Sequence, residues 1–414
     1  MTLRVMALVT GLLMAFRPAC SQPPAAADLQ SLYKAGKWAE LRAAVSNTKG
    51  NALSALYSGA TAVVFNEDAA RSEKALRSVI NAAPHSDAAY EAYEWLSHAF
   101  LRTGQYRRLM AVMEERWAGF PDKRDRAAEQ AALAGFRGLP DQVTVKTRPS
   151  VLPHEKDSIF IPLTVNGTSA EFFFDTGAGL SALSESEARR LGLHISETSG
   201  TMGTTTSKSA FHTAVAKDVV VGGLHLRNVS FTVFPDNQEP WSHLQPGRQG
   251  IIGIPVILAF GTLRWVRNGA MEIGGKPGRL NAQEANLRFE GDHLALAVTV
   301  EGLSITGSLD TGAIDTDLFE GFAKQFAPML NTAGKKETME LKGIGGTETL
   351  EAIRLPDLKF TIAGRDTVLS PARVMPGKSW FRCCVANIGM DLLTQADAFK
   401  IDFRAMKLEL EVAK

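Results

Sequence analysis

The tripeptide Asp-Thr-Gly occurs twice in this chain of 414 residues, each time at the end of an apolar run. The first copy begins at Asp175 and the second begins at Asp310. Two carboxylates brought face to face cannot both ionise, so they share a proton, and one acts as a base while the other acts as an acid. The pair therefore predicts a hydrolytic site that needs no metal, serine or cysteine.

The sequence around the two tripeptides is also repeated. Gly167 and Gly302 each lie eight residues before the following aspartate, and both close a Thr-Val-x-Gly motif. An apolar-Gly motif follows each tripeptide, and its glycine is Gly253 in the first copy and Gly389 in the second. A repeat of this length is too long for a solenoid unit. It indicates two related all-β lobes, which we place at residues 143–285 and 286–414.

Each residue type in the tripeptide has a physical reason. The aspartates Asp175 and Asp310 end an apolar strand and would project into a cleft between the lobes. Thr176 and Thr311 could hydrogen-bond across to the other copy and support the two aspartates. Glycine at the third position, Gly177 or Gly312, permits a sharp turn whose backbone N–H groups approach the carboxylate closely.

These motifs make the region from residue 143 onward resemble the aspartic protease superfamily. Alanine follows each tripeptide, at Ala178 and Ala313, and this resembles retropepsins rather than pepsins. The resemblance implies a retropepsin-like unit that is duplicated and fused in one chain. It further implies a bilobal retropepsin/pepsin-like acid protease β fold, activity as a monomer, and no cofactor or metal.

The resemblance also implies a flap hairpin in each lobe. The candidate flap residues are Gly200, Met202 and Gly203 in the first lobe and Ile344, Gly345 and Gly346 in the second. The second set looks like the Ile-Gly-Gly flap tips of retroviral-type proteases. The first set lacks that sequence.

The N-terminus has the pattern of a targeting segment. Arg4 precedes an apolar stretch from Val5 to Phe16, which is too short to span a bilayer. We predict a signal peptide at 1–27 that is cleaved before Asp28, and a periplasmic or secreted protein. Two alternatives remain open, namely a lipid anchor at Cys20, which would make a membrane lipoprotein, and an uncleaved anchor helix.

Residues 28–142 read as successive helices, so the whole chain is predicted to be multidomain, α plus all-β. A helix–turn–helix around Thr103-Gly104-Gln105-Tyr106 resembles one tetratricopeptide-type unit, and Pro84 and Pro121 lie near that repeat period. A helical-repeat-like (tetratricopeptide-like) domain and a plain helical bundle are both open interpretations. We expect this domain to recruit a protein partner or to shield the cleft.

Composition excludes some functions. The formal net charge of +1 implies no basic face, so nucleic acid is not an expected partner. Cys383 and Cys384 are adjacent and are expected to be two reduced, partly buried thiols, with a strained disulfide between them as the open alternative. Asp315 and Asp317 add negative charge after the second tripeptide and are expected to be solvated surface acids. A bias on the charge of the substrate is the open alternative, and the resemblance to retropepsins also implies a structural role for Asp315.

Three competing interpretations of these residues do not agree with the sequence. Residues 177–182 satisfy a dinucleotide-binding fingerprint, but the second copy lacks its middle glycine and no βαβ crossover follows. Ser184 opens a capping box with Glu187 and does not lie in a nucleophile elbow. A metal site at the two aspartates would need several more oxygen ligands, which the nearby sequence does not supply.

The sequence therefore predicts an aspartic endopeptidase (a hydrolase) whose water is activated by Asp175 and Asp310, with a peptide or protein as substrate. The alternative is a protease-fold module that binds peptides, hydrolyses them weakly or not at all, and uses the helical domain for docking.

Overall fold

The structure is a computed structural model, and it describes residues 26–46, 52–123, 126–203, 208–343, 346–378 and 383–412. Helices occupy the N-terminal part, and strands dominate from Val143 onward. The predicted combination of a helical domain with a bilobal β region is therefore confirmed. No helix within the described ranges is long and apolar enough to cross a membrane.

The N-terminal domain contains seven described helices: α1 (Ala26–Lys34), α2 (Trp38–Ser46), α3 (Ala52–Val64), α4 (Ala69–Ala82), α5 (Asp87–Arg102), α6 (Tyr106–Gly119) and α7 (Arg126–Leu133). Side-chain caps fix two of the starts, since Asp68 accepts from the Ala70 amide and Ser86 accepts from the Ala89 amide. A 3₁₀ turn at Ala134–Phe136 leads into the strands.

The first lobe contains β1 (Val143–Lys146), β2 (Ser150–Pro153), β3 (Phe160–Val165), β4 (Thr168–Phe174), β5 (Ala182–Ser184), α8 (Glu185–Arg190), β6 (Gly200–Gly203), β7 (Lys208–Val221), β8 (Leu224–Phe234), β9 (Gly250–Ile252), α9 (Ile254–Ile257), β10 (Thr262–Val266) and β11 (Ala270–Ile273). Eight of these strands form one sheet in the order β1-β8-β5-β9-β4-β3-β7-β6, in which β7 also pairs with β8.

Local sequence signals set one turn and one helix start in the first lobe. Asn166 and Gly167 join β3 to β4 with positive φ angles of 49° and 82°, as a two-residue hairpin turn requires. Ser184 is the N-cap of α8, because the Glu187 amide donates to its hydroxyl at 3.1 Å. The reciprocal bond of a capping box does not form, since the Ser184 amide donates to the Gln249 carbonyl at 3.1 Å.

The second lobe contains β12 (Leu287–Glu290), β13 (His293–Val300), β14 (Leu303–Leu309), β15 (Asp317–Leu318), α10 (Glu320–Gln325), α11 (Ala327–Ala333), β16 (Lys335–Gly343), β17 (Gly346–Leu355), β18 (Leu358–Ile362), β19 (Arg365–Leu369), β20 (Ala372–Val374), β21 (Ala386–Ile388), α12 (Met390–Leu393), β22 (Ala398–Asp402) and β23 (Lys407–Glu411). Its sheet runs β16-β17-β20-β15-β21-β14-β13-β18-β19, and β12 pairs with β13.

The two lobes repeat one strand arrangement. In the first, β9 pairs parallel with β4 and antiparallel with β5. In the second, β21 pairs parallel with β14 and antiparallel with β15. The same helix-start bond follows in each, since the Ile254 and Met390 amides donate to Ala178 and Ala313 carbonyls, both at 2.9 Å. The duplication read from the sequence is therefore a duplication of structure.

A third sheet joins the lobes, and we call it the shared sheet. Its strand order is β2-β11-β10-β22-β23. The junction is the antiparallel pair β10–β22, in which Trp265 lies opposite Phe399. The Trp265 ring is fully buried and stacks on Phe399 and His154, with ring centroids 5.2 and 5.5 Å apart. This apolar stack fixes one lobe against the other.

The helical domain packs against both lobes. Gln142 donates from its side-chain amide to the Pro255 carbonyl at 2.7 Å, which ties the domain to lobe 1. Trp38 donates to Glu290 of lobe 2 at 3.1 Å. The guanidinium of buried Arg102 lies 4.1 Å from the ring centroid of Phe289, also in lobe 2. The domain therefore bridges the two lobes on a surface outside the shared sheet.

One cysteine expectation is wrong. Cys383 and Cys384 form a disulfide between adjacent residues instead of remaining two thiols. Their Sγ atoms are bonded across neighbouring positions of the connection that leads to β21, and Cys384 is buried. A bond between neighbours closes no long loop, so it does not constrain the unfolded chain as a long-range disulfide does.

Trp265→Ala should destabilise the protein by about 3–5 kcal/mol, because it empties a fully buried indole site at the lobe junction. Urea unfolding followed by far-UV circular dichroism measures the loss. Val151→Ala on β2 of the same sheet is the matched control, since Val151 is 66% exposed. A loss at Trp265 no larger than that of the control would contradict the assigned role of the stack.

Candidate active site

Buried strands deliver both aspartates to the boundary between the lobes. Phe172 and Phe174 of β4 are fully buried and anchor the strand that leads to Asp175. The Asp175 amide donates to the Ile252 carbonyl at 2.9 Å. In the second lobe, the Asp310 amide donates to the equivalent carbonyl, that of Ile388, at 3.0 Å. The backbone position of each aspartate is thus fixed by the strand next to it.

The turn after each aspartate folds back onto its carboxylate. Asp175 Oδ1 accepts from the Gly177 amide at 2.8 Å and from the Ala178 amide at 3.0 Å. Asp310 Oδ1 accepts from the Gly312 and Ala313 amides at 2.9 and 3.1 Å. Each carboxylate is oriented by its own turn and keeps its second oxygen, Oδ2, outside these bonds.

The two threonines connect the turns across the boundary between the lobes. The Thr176 amide donates to Thr311 Oγ1 at 3.0 Å, and the Thr311 amide donates to Thr176 Oγ1 at 3.1 Å. Each hydroxyl then donates onward to the opposite lobe, Thr176 to the Leu309 carbonyl at 2.8 Å and Thr311 to the Phe174 carbonyl at 3.0 Å. Both threonines are almost fully buried. We call these four bonds the threonine network.

Glycine is required at the third position because the opposite carboxylate lies against it. A Cβ atom added to Gly177 would lie 2.4 Å from Cγ of Asp310, and one added to Gly312 would lie 2.4 Å from Cγ of Asp175. Any side chain at either position would therefore push the two carboxylates apart.

The pair is electrostatically coupled. Burial raises the pKa of Asp175 well above its usual range, and the nearby charge of Asp310 and a hydrogen bond with it raise the pKa further. The Gly177 and Ala178 amides act in the opposite direction but do not cancel the effect. Asp175 thus favours its protonated form beside Asp310. Both residues keep part of their surface exposed, so water can reach the site.

The two acids after the second tripeptide behave differently. Asp315 is exposed, as expected for a solvated acid. Asp317 on β15 is only partly exposed, so it is not a fully solvated surface acid. Burial, followed by the charge of Asp310, raises the pKa of Asp317 to about 7.

Buried hydroxyls hold the apolar-Gly motifs in place. The Gly253 amide donates to Ser181 Oγ at 3.1 Å, and the Gly389 amide donates to Thr316 Oγ1 at 3.0 Å. Ser181 and Thr316 each lie six residues after their aspartate. In the second lobe, Thr316 also donates to Asp391 Oδ1 at 2.6 Å. These serine and threonine roles carried no separate signal in the sequence.

Asn387 is a further residue at the site that sequence analysis missed. Its side-chain amide donates to Asp310 Oδ2 at 2.6 Å. The corresponding position of the first lobe holds Ile251, two residues before Gly253 as Asn387 is two before Gly389. That break in an otherwise apolar motif was the one available signal.

The candidate flaps are partly described. Gly200, Met202 and Gly203 form β6, which pairs with β7. Gly346 begins β17 opposite Gly343 at the end of the β16–β17 hairpin, whereas Ile344 and Gly345 lie outside the described residues.

The start of β6, the first candidate flap strand, touches the helical domain. A Cβ on Gly200 would lie 2.7 Å from the Ala132 carbonyl oxygen of α7, so the helix and the strand are in close contact there. Among the described residues, a Cβ on Gly203 or Gly346 would meet no atom within 4 Å.

Within the described part of the chain, no group of three or more His, Cys, Asp or Glu residues could hold a metal ion. A pocket of about 600 Å³ on the first lobe is lined by residues of β3, β4 and the 245–248 segment and includes neither Asp175 nor Asp310. We therefore place the candidate site at the two aspartates and not in this pocket.

Thr176→Val should destabilise the protein, because it leaves the Leu309 carbonyl and the Thr311 amide buried without a partner. Each orphaned group costs about 1–3 kcal/mol. Chemical denaturation of the wild type and the variant measures the loss.

Thr176→Ser keeps the hydroxyl and should recover most of that stability. Thr349→Val, on an exposed position of β17, is the control for the substitution itself. Equal losses at positions 176 and 349 would contradict a structural role for the threonine network.

Asp317→Asn should alter how stability depends on pH. Between pH about 4, where an unfolded aspartate loses its proton, and pH about 7, the folded protein retains a proton on Asp317 that the unfolded chain releases. The wild-type free energy of unfolding should therefore fall as pH rises through this range. The asparagine variant lacks this contribution to stability. As pH rises, its melting temperature should therefore increase by a few degrees relative to that of the wild type.

Thermal scans of both proteins across this pH range measure the difference. The same scans on Asp122→Asn, at an exposed acid, should show a constant difference from the wild type. A constant difference for Asp317→Asn as well would contradict the assigned burial of its carboxyl group.

The first lobe matches a known protein family. Residues 161–256 match the family model of aspartyl proteases. A retropepsin-like aspartic protease from Rickettsia conorii, known from its crystal structure, is 18% identical over 32% of this chain and 94% of its own, with a TM-score of 0.24. No curated protein matches the chain. The family match in the first lobe confirms the predicted resemblance to aspartyl proteases.

Proposed function

We propose that this protein is an aspartic endopeptidase that hydrolyses peptide bonds with a water activated by Asp175 and Asp310. The observation that carries the proposal is the pairing of the two carboxyl groups, each oriented by two backbone amides and each packed against the glycine of the opposite turn. The aspartyl protease match and the bilobal fold support a protease-like function in general.

The proposed reaction needs one proton shared by the dyad. The ionised aspartate takes a proton from water as the water oxygen bonds to the peptide carbonyl carbon. The protonated aspartate gives its proton to the carbonyl oxygen, which yields a neutral gem-diol. When the C–N bond breaks, the first aspartate gives its new proton to the leaving nitrogen, and a gem-diol hydroxyl returns a proton to the second. The products are a carboxylic acid and an amine, and the dyad is restored.

We further propose that one chain forms the complete site. Both aspartates and both threonines come from the same chain, and the shared sheet already holds the lobes together. Activity per molecule should then be independent of protein concentration. The alternative, a peptide-binding module without hydrolysis, has the same cleft but would leave peptides intact.

Asp175→Asn and Asp310→Asn should each reduce peptide cleavage by at least about 10²-fold, because loss of one acid–base partner removes a proton transfer in the transition state. The test incubates the purified protein with an unbiased peptide library at acidic and neutral pH and identifies products by mass spectrometry. Asparagine can still accept the bonds from the turn amides, so the fold should survive.

Asp315→Asn is the matched control, since it removes a nearby exposed carboxylate that lies outside the dyad. It should keep wild-type cleavage to within a few-fold. Cleavage that survives both dyad substitutions would overturn the mechanism. Binding of library peptides without cleavage by the wild type would favour the peptide-binding alternative.

A further inference from the structure

The floor of the cleft differs between the lobes at one pair of facing positions. In the first lobe, Ala182 of β5 lies opposite Ile251 of β9. The matching strands of the second lobe, β15 and β21, place Asp317 opposite Asn387. An apolar pair in one lobe is therefore a polar pair in the other, although the surrounding strands repeat. The backbone around the dyad is symmetric, whereas the side chains beside it differ between the lobes.

Asn387 gives Asp310 a hydrogen bond that the first lobe cannot supply to Asp175. Asp310 Oδ1 accepts from two turn amides, and its Oδ2 accepts from Asn387 Nδ2 at 2.6 Å. Asp175 Oδ1 also accepts from two turn amides. Ile251 occupies the position that matches Asn387, and its hydrocarbon side chain has no donor. Among these groups, Asp310 has three donors and Asp175 has two.

The environment makes the third donor effective. Asn387 is only 4% exposed, and its other side-chain atom, Oδ1, is buried with no partner. A buried amide oxygen without a hydrogen-bond partner is unfavourable. Its presence here indicates that the N–H group of the same side chain makes a hydrogen bond of functional importance. Donors stabilise the ionised form of a carboxyl group over its neutral form, and bonds to a charged acceptor are the stronger ones.

We propose that the Asn387 amide keeps Asp310 as the ionised, water-activating member of the dyad and leaves the shared proton on Asp175. This inference rests on the proposed hydrolytic function for its catalytic meaning, and it makes Asn387 a positioning residue that acts through Asp310. Asp310 then takes the proton from water, and Asp175 protonates the substrate carbonyl. The direction in which burial and the Asp310 charge shift the pKa of Asp175 agrees with this assignment.

The other charged groups near the dyad do not reverse the assignment. Asp175 faces Asp310 across the lobe boundary, and Asp317 faces it from β15. Farther out, Asp315, Asp391 and Arg373 act on Asp317. Because the pKa of Asp317 is raised to about 7, this carboxyl group is neutral in acid and adds no second negative charge beside Asp310 there.

Asn387→Ile, which copies the residue of the first lobe, tests the inference, and Asn387→Leu repeats the test with a side chain closer in volume. Two readouts follow the dyad. One is the pH dependence of kcat/KM. The other is carboxyl NMR of substrate-free protein labelled with ¹³C-aspartate, which reports protonation whether or not the protein cleaves anything.

Loss of the amide should raise the pH at which the dyad loses its first proton by about 1–2 units, since a hydrogen bond to a charged group is removed. The second proton loss should stay where it is, because Asp310 is ionised before and after that step. The acidic limb of the rate profile should therefore move while the basic limb remains in place. A merely structural role for Asn387 would lower activity at all pH values without moving one limb.

Two control variants isolate the effect. Ser308→Ala removes a buried hydroxyl from β14, directly opposite Asn387 in the register, and should leave both limbs unchanged. Asp317→Asn removes the neighbouring titrating group, and Asn387→Ile should still shift the acidic limb in that background.

If the dyad of a folded Asn387 variant loses its first proton at the same pH as the wild type, the inference is overturned. A downward shift would also overturn it, because it would mean that Asn387 accepts a hydrogen bond from protonated Asp310. If the NMR shift occurs but no peptide is cleaved, the inferred charge state stands and the hydrolytic proposal fails. If peptides are cleaved and neither readout shifts, the function stands and the role of Asn387 fails.

Discussion

The candidate site depends on four hydrogen bonds between two buried threonines on opposite lobes. The hydroxyl of each threonine, Thr176 or Thr311, accepts a hydrogen bond from the backbone amide of the other threonine. It also donates one to a backbone carbonyl of the opposite lobe. Because every polar atom involved is buried, breaking one bond leaves an unpaired group and costs more than the bond contributes when it forms. The network therefore tolerates only one relative position of the turns. That position brings each carboxylate against the opposite glycine, so the spacing of the dyad follows from the threonines and not from the acids.

A network this small cannot by itself hold two lobes whose acids repel each other. The shared sheet supplies the larger part of the attachment, because β10 of one lobe and β22 of the other form a continuous antiparallel ladder with Trp265 stacked on Phe399. The helical domain adds contacts to both lobes through Gln142 and Trp38. Apolar burial and strand pairing far from the site thus offset the desolvation and repulsion that raise the pKa of Asp175. The contacts that hold the lobes together thus lie mainly away from the two aspartates.

The parts of this structure that a sequence can predict are those that repeat or have a local cause. The Asn166-Gly167 turn and the Ser184 N-cap depend on residues a few positions apart, and both form. The two lobes follow from matched spacing around Asp175 and Asp310. Asp317 and Asn387 were misjudged or missed, because burial and the partner of a side-chain amide are set by neighbours distant in sequence. A single polar residue in an apolar motif has no interpretation until the strand opposite it is known.

Fusion of two similar lobes in one chain explains why the site can be symmetric in backbone and asymmetric in charge. Two identical subunits would present the same residue beside each aspartate, and the shared proton would have no fixed side. Here the second lobe has Asp317 and Asn387 where the first has Ala182 and Ile251 at the facing positions. The threonine network constrains both copies equally, so the backbone could not diverge there. The neighbouring side chains were under no such constraint, and they are where the two halves of the dyad acquire different environments.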